Sequence, residues 1–126
     1  MPDVNVRQCA MNDIYRVLKP GGRFVFTTHC MDDPTFAAYW EVERERWGKG
    51  LQDVRLLEYG DRIFSKPEAY GDVLSFVHIP VKGEIESCIE RSGFKLIYSK
   101  KRSDICEESA AILDFSVDVT FWVCEK

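Results

Sequence analysis

The sequence predicts an α/β protein, and three of its segments carry that reading. Arg16-Val17-Leu18-Lys19-Pro20-Gly21-Gly22-Arg23-Phe24-Val25-Phe26 reads as the end of a helix, a tight turn and the start of a strand. Glu84 to Lys100 repeats that order, with Gly93 between a short amphipathic helix and a strand. Near the C-terminus, Phe115, Val117, Val119, Phe121 and Val123 alternate with Ser116, Asp118, Thr120, Trp122 and Cys124, which predicts a strand burying the first set.

Taken in order, Val6, Ala10, Ile14, Val17 and Leu18 recur at helical spacing, with Cys9 on the same side. Asn5 and Gln8 make a capping pair at the start of that helix. Pro20 disfavours the α conformation at Lys19, and Gly21 or Gly22 supplies the positive φ of a sharp reversal. Arg23 to Thr28 then forms a short apolar run, the pattern of a strand covered on both faces. Asp33 caps a second helix that opens with Pro34 and runs to Trp47, with Phe36, Tyr39, Trp40 and Trp47 as its apolar side. Val54 to Tyr59, Arg62 to Ser65 and Val73 to Val81 have strand character, broken by the Gly60-Asp61 turn and by Pro67 and Gly71. Glu84 to Ser92 reads as a helix ended by a left-handed Gly93, with Phe94 packing back on Ile89 before a strand to Lys100.

Length and composition narrow the function. The chain has 126 residues, 45% of them hydrophobic, so it is a single globular domain that can bury one modest core. Its 21 acidic and 17 basic residues leave a net charge of −4, which argues against a nucleic-acid partner. The small basic group Lys95, Lys100, Lys101 and Arg102 reads as a solvated strand end. Five cysteines, Cys9, Cys30, Cys88, Cys106 and Cys124, form no C-x-x-C pair and have no histidine at zinc spacing, so no metal site is expected. Cys9 and Cys88 read as small core residues, and the odd count fits a reducing cytoplasmic setting. No stretch is apolar enough to span a bilayer and the N-terminus lacks signal-peptide character, so no membrane partner is expected.

The Arg16–Phe26 run resembles the junction before the fifth strand of class I S-adenosylmethionine-dependent methyltransferases, and Ser92-Gly93-Phe94-Lys95-Leu96 is similar to that family's entry into its sixth strand. The order of elements resembles the C-terminal portion of a type-11-like small-molecule methyltransferase. The resemblance implies a partial Rossmann-like sheet with an antiparallel final hairpin, plus helices and a β-containing insert. Residues 1–126 would then be one domain equivalent to the family's C-terminal half, with 30–82 as an insert of the substrate-recognition type.

The glycine-rich turn and acidic strand end that hold the cofactor in that family have no counterpart here. Gly21-Gly22 precedes a strand, whereas a nucleotide-binding turn follows one. No cofactor-binding residue is therefore carried over. S-adenosylmethionine is implied for the complete family, and none is expected to be bound by this chain alone. The substrate side remains. Thr28 and His29 stand at the C-terminal end of the first strand, where open α/β sheets bind ligands. His29 is the one candidate general base, an imidazole titrating near neutrality. Trp40 on the second helix, and Tyr70, Asp72 and His78 in the insert, are candidates for contacting a small-molecule substrate; core packing is the competing reading for the aromatic stripe. Cys30 beside His29 is poorly placed as a nucleophile, because neighbours on a strand face opposite ways. Glu84 and Glu86 are expected to complement a helix N-terminus.

Two functions fit. One is the substrate-side portion of a methyltransferase, inactive alone and completed by a cofactor-binding half. The other is a noncatalytic binding or assembly module that retains the fold. In either case the strand at Arg23–Thr28 is left with an apolar edge, to be covered by homodimerisation or by the Val54–Ser65 segment folding back on it.

Overall fold

A computed structural model describes residues 3–68, 71–105, 109–115 and 117–126. Helix α1 (Val4–Val17) leads through a turn into strand β1 (Arg23–His29). A 3₁₀ turn (Pro34–Phe36) precedes α2 (Ala37–Gly48), and a hairpin of β2 (Asp61–Glu68) and β3 (Gly71–His78) follows. Helix α3 (Glu84–Arg91), β4 (Lys95–Lys101), a 3₁₀ turn (Arg102–Asp104), α4 (Ala110–Phe115) and β5 (Val119–Glu125) complete the chain. The strands form a three-stranded sheet in the order β1-β5-β4 and a separate two-stranded sheet of β2 and β3, all antiparallel. Among the described residues no helix is long and apolar enough to cross a membrane.

The junctions follow the sequence closely. Gly21 takes φ +74° and donates its N–H to the Lys126 carbonyl at 2.8 Å, tying the turn to the C-terminus. Gly22 donates to Lys19 O at 2.8 Å. After α3, Gly93 adopts φ +85°, its N–H bonds to Glu90 O at 3.0 Å, and the Phe94 N–H bonds to Ile89 O at 3.2 Å. That pair of bonds is the Schellman termination the spacing predicts.

Several expectations need correction. The cap of α1 is Asp3, whose carboxylate accepts the Asn5 N–H; Gln8 instead donates to Ser92 Oγ at 2.7 Å, joining α1 to α3. The buried side of α1 is Met11 with Ile14, Tyr15 and Leu18, while Val6, Val17 and Cys9 are exposed. The predicted second helix is divided: Asp33 does cap it, accepting the Thr35 N–H, but the first turn is 3₁₀. Val54 to Tyr59 forms no strand, and β2 pairs with β3 rather than folding back onto β1. Phe115 lies in α4, so the final strand starts only at Val119.

The core shows why two strand-face predictions fail. Met11, Cys88, Ile89, Phe94, Trp122 and Cys124 make one buried cluster, with Phe24 and Phe26 packed against it. Phe24 stacks on Phe26, and Phe26 on Trp122, at ring-centroid distances of 4.8 and 6.2 Å. Among the described residues α1 and α3 cover one face of the sheet, so β1 half-buries alternate residues and Val25 is exposed. On β5 the buried set is Trp122 and Cys124, opposite to the one the alternation suggests.

Candidate functional site

Beyond the C-terminal end of β1 lies a cleft of about 660 Å³. Thr28 to Asp32 form its floor, Ser99 to Lys101 and Thr120 one side, and Pro80 to Gly83 with Glu86 the other. The first strand's alternation puts Thr28 inward and His29 outward, and both line the cleft. Trp122 donates its indole N–H to Thr28 Oγ1 at 3.0 Å, which fixes that hydroxyl. Cys30 Sγ lies 3.1 Å from Thr120 Oγ1, and Lys101 pairs with Asp32 at 3.0 Å. No described residue hydrogen-bonds the His29 ring, so among the described residues a general-base role has no orienting partner.

The other sequence candidates lie elsewhere. Trp40 is buried, packs edge-on against Tyr39 and Tyr59 at 4.9 and 5.8 Å, and lines neither this cleft nor the smaller hollow described below. The aromatic stripe of α2 is covered by the hairpin: the Arg62 guanidinium stacks on Phe36, Tyr39 and Phe64 at 5.0, 4.8 and 5.3 Å. Tyr70 falls outside the described residues, as does Cys106. Burial pushes the thiols of Cys88 and Cys124 up, which suits neutral core residues and not nucleophiles.

His78 sits in a polar cluster that sequence spacing does not announce. Its Nδ1 is 2.7 Å from Asp61 Oδ1, and its Nε2 is 3.0 and 3.1 Å from the oxygens of Glu84. Arg7 of α1 bridges Glu84, at 2.9 Å, and Glu58. The second oxygen of Asp61 accepts the N–H groups of Leu57 and Glu58, both at 2.9 Å. Asp61, Glu84 and Glu58, the partners named for His78 and Arg7, come from β2, α3 and the segment before β2, so only the fold assembles them. Gly60-Asp61 was legible as a turn, and Asp61 does hold that turn; its bond to His78 carries no sequence signal. Glu84 does more than complement a helix N-terminus.

Arg7, His78 and Glu84 also close one end of a smaller, mostly apolar hollow of about 290 Å³ between α1, α3 and the inner face of β1. Glu58, His78 and Glu84 present donor atoms within 4.8 Å of one another, the one such group of metal-ligand type among the described residues. Arg7 already supplies a cation to both glutamates there. That arrangement reads as an ion-pair network.

No protein-family model matches the sequence, and no curated protein matches it significantly. A solved structure, that of a SAM-dependent methyltransferase from Methanosarcina mazei, matches 99% of this chain with a TM-score of 0.64 at 18% identity. The fold is methyltransferase-like. The chain spans 53% of the length of that methyltransferase.

Within this methyltransferase-like fold, the three-stranded sheet forms no glycine cradle for a nucleotide group among the described residues. Backbone cradles for nucleotide groups form where a glycine turn leaves a strand and opens a helix. Among the described residues Gly21 and Gly93 enter strands, and the one positive-φ glycine between a strand and a following helix, Gly83, follows β3 of the separate two-stranded sheet.

Proposed function

We propose that this chain is the substrate-side portion of a small-molecule methyltransferase and that the cofactor is held by residues outside the sequence given, either in a longer polypeptide or in a second chain. The observation that carries the reading is the position of β1. Its register runs along β5 on one side, its other edge is unpaired among the described residues, and its C-terminal end opens into the large cleft. A strand in that position has room for another beside it, and ligands of open α/β sheets bind at such strand ends. Residues 30–82 then supply cleft walls, through Met31, Asp32, Arg44 and the Pro80–Lys82 linker. Thr28 and His29 face the substrate.

The same free edge favours a second reading, a noncatalytic assembly module that pairs through β1. The two separate by experiment. Calorimetric titration of SAM into the isolated chain is expected to show no saturable site tighter than about 100 μM, roughly −5.5 kcal/mol. A tighter site would overturn the proposed division of labour. Sequencing the transcript upstream of Met1 tests the rest: an in-frame glycine-rich strand-turn-helix supports the substrate-side reading, and a stable oligomer lacking any such segment supports the assembly module.

A further inference from the structure

The β2–β3 hairpin pairs with itself and makes no extensive backbone contact with any other element. Its attachments are side chains: Arg62 on the rings of Phe36 and Tyr39, and the cluster around His78. His78 is the last residue of β3, and Ile79 to Gly83 then lead into α3, so the position of His78 sets where the Pro80–Gly83 wall of the large cleft stands.

Both ring nitrogens of His78 face carboxylates. Asp61 on β2 takes Nδ1 and Glu84 on α3 takes Nε2, with the imidazole side chain only 4% exposed. A neutral imidazole has one N–H and one lone pair. It can satisfy Asp61 or Glu84, and the other carboxylate then meets a lone pair without a proton between them. The imidazolium satisfies both. Around it stand Asp61 from β2, Glu84 from α3, Arg7 from α1 and Glu58 from the segment before β2.

We propose that His78 is a protonation-dependent latch, clipping the hairpin to α3 and α1 and thereby setting one wall of the large cleft. The geometry alone carries this, and it stands whether or not the chain serves a methyltransferase. Burial opposes the charge on His78, but the bonds to Glu84 and Asp61 outweigh it and its pKa lies above the usual value for histidine. For Glu84, burial is likewise outweighed by the His78 bond and charge, and its carboxyl is held below the usual range. The native state therefore binds the His78 proton more tightly than the unfolded chain. Its contribution is full below the ordinary histidine pKa, about 6.5, and is lost as pH rises through the raised value. The Glu84 contribution is lost at the acid end, as pH falls through its lowered value.

Nitrogen-15 NMR of the imidazole side chains of the intact chain tests the charge state directly. Both His78 nitrogens are expected to carry protons at about pH 6; a neutral single tautomer there overturns the latch. Hydrogen exchange tests the consequence. Protection of the β2–β3 amides is expected to fall as pH rises above about 6.5, by up to about tenfold per pH unit, the slope of one proton. That slope is expected to vanish in His78→Gln and to persist in His29→Gln. A pH-independent hairpin, or a wild-type slope retained in His78→Gln, overturns the proposal. So does a single zinc site tighter than about 10 μM, found by titration with zinc chloride and lost in His78→Gln, since the cluster would then be a metal centre.

Discussion

Gly21 and Gly22 stand side by side in the α1–β1 turn and do different work. Gly21 carries the positive φ, and a Cβ there would meet nothing within 4 Å, so an added methyl costs only backbone strain. Gly22 has room for no Cβ: one would lie 2.8 Å from the Lys19 carbonyl oxygen and 3.3 Å from a Leu18 methyl. Gly21→Ala is expected to destabilise the domain by about 1 kcal/mol. Gly22→Ala should cost about 2 kcal/mol or more, because a backbone atom must move. Urea unfolding of the two variants checks the order, and equal midpoints would mean the turn is looser than it is drawn. The residue scale also explains Cys9. Helical periodicity groups it with Ala10 and Val17, but the stripe that meets the sheet is centred on Met11, and Cys9 is left outside.

At the scale of elements, the α3–β4 unit holds the core together. Its helix ends in the two Schellman bonds, and Phe94 then drops into the core, 5% exposed, edge-on to Tyr15 at 5.0 Å. Phe94→Ala removes the contact joining α1, α3 and β1 at one point, and is expected to cost about 3–5 kcal/mol in a thermal or urea melt. A loss below about 1 kcal/mol would show that α1 does not depend on this ring. Hairpin β2–β3 is the opposite kind of element. Its strands satisfy each other, and its position rests on buried ionic groups whose loss is expensive singly.

At the scale of the whole molecule, the described residues cover one face of the sheet, and both of its edge strands, β1 and β4, pair on one side only. Val25 is 57% exposed on the uncovered face, and β1 pairs only with β5 among the described residues. An apolar edge strand of this length is a template for pairing. Since β2 pairs with β3, the insert does not cover that edge among the described residues, and the covers left to test are a second copy, another chain or further residues of a longer polypeptide. Sedimentation equilibrium of the isolated chain at micromolar concentration is expected to show a dimer. A well-behaved monomer with slow amide exchange along Arg23–His29 would exclude edge pairing between copies.

The Lys19-Pro20-Gly21-Gly22 turn, the Gly93 termination and the Asp33 cap were legible, because φ preferences and capping bonds are settled by near neighbours; the cap of α1 was misplaced by two residues, and α4 carried no sequence signal that separated it from the final strand. A period of two shows which residues of β1 and β5 share a face, and says nothing about which face is covered. That was decided by where α1 and α3 lie, and it put Trp122 and Cys124 inside and Val25 outside. The same limit hid the cluster at His78, since Arg7 and Glu84 meet across 77 positions and Arg7 and Glu58 across 51. The sequence by itself determined the helix-turn-strand grammar, while the methyltransferase-like fold it resembles is supported by the structural comparison. Tertiary structure alone decided that His78 belongs to a buried ion network and Trp40 to packing, because burial and charge pairing depend on neighbours distant in the chain.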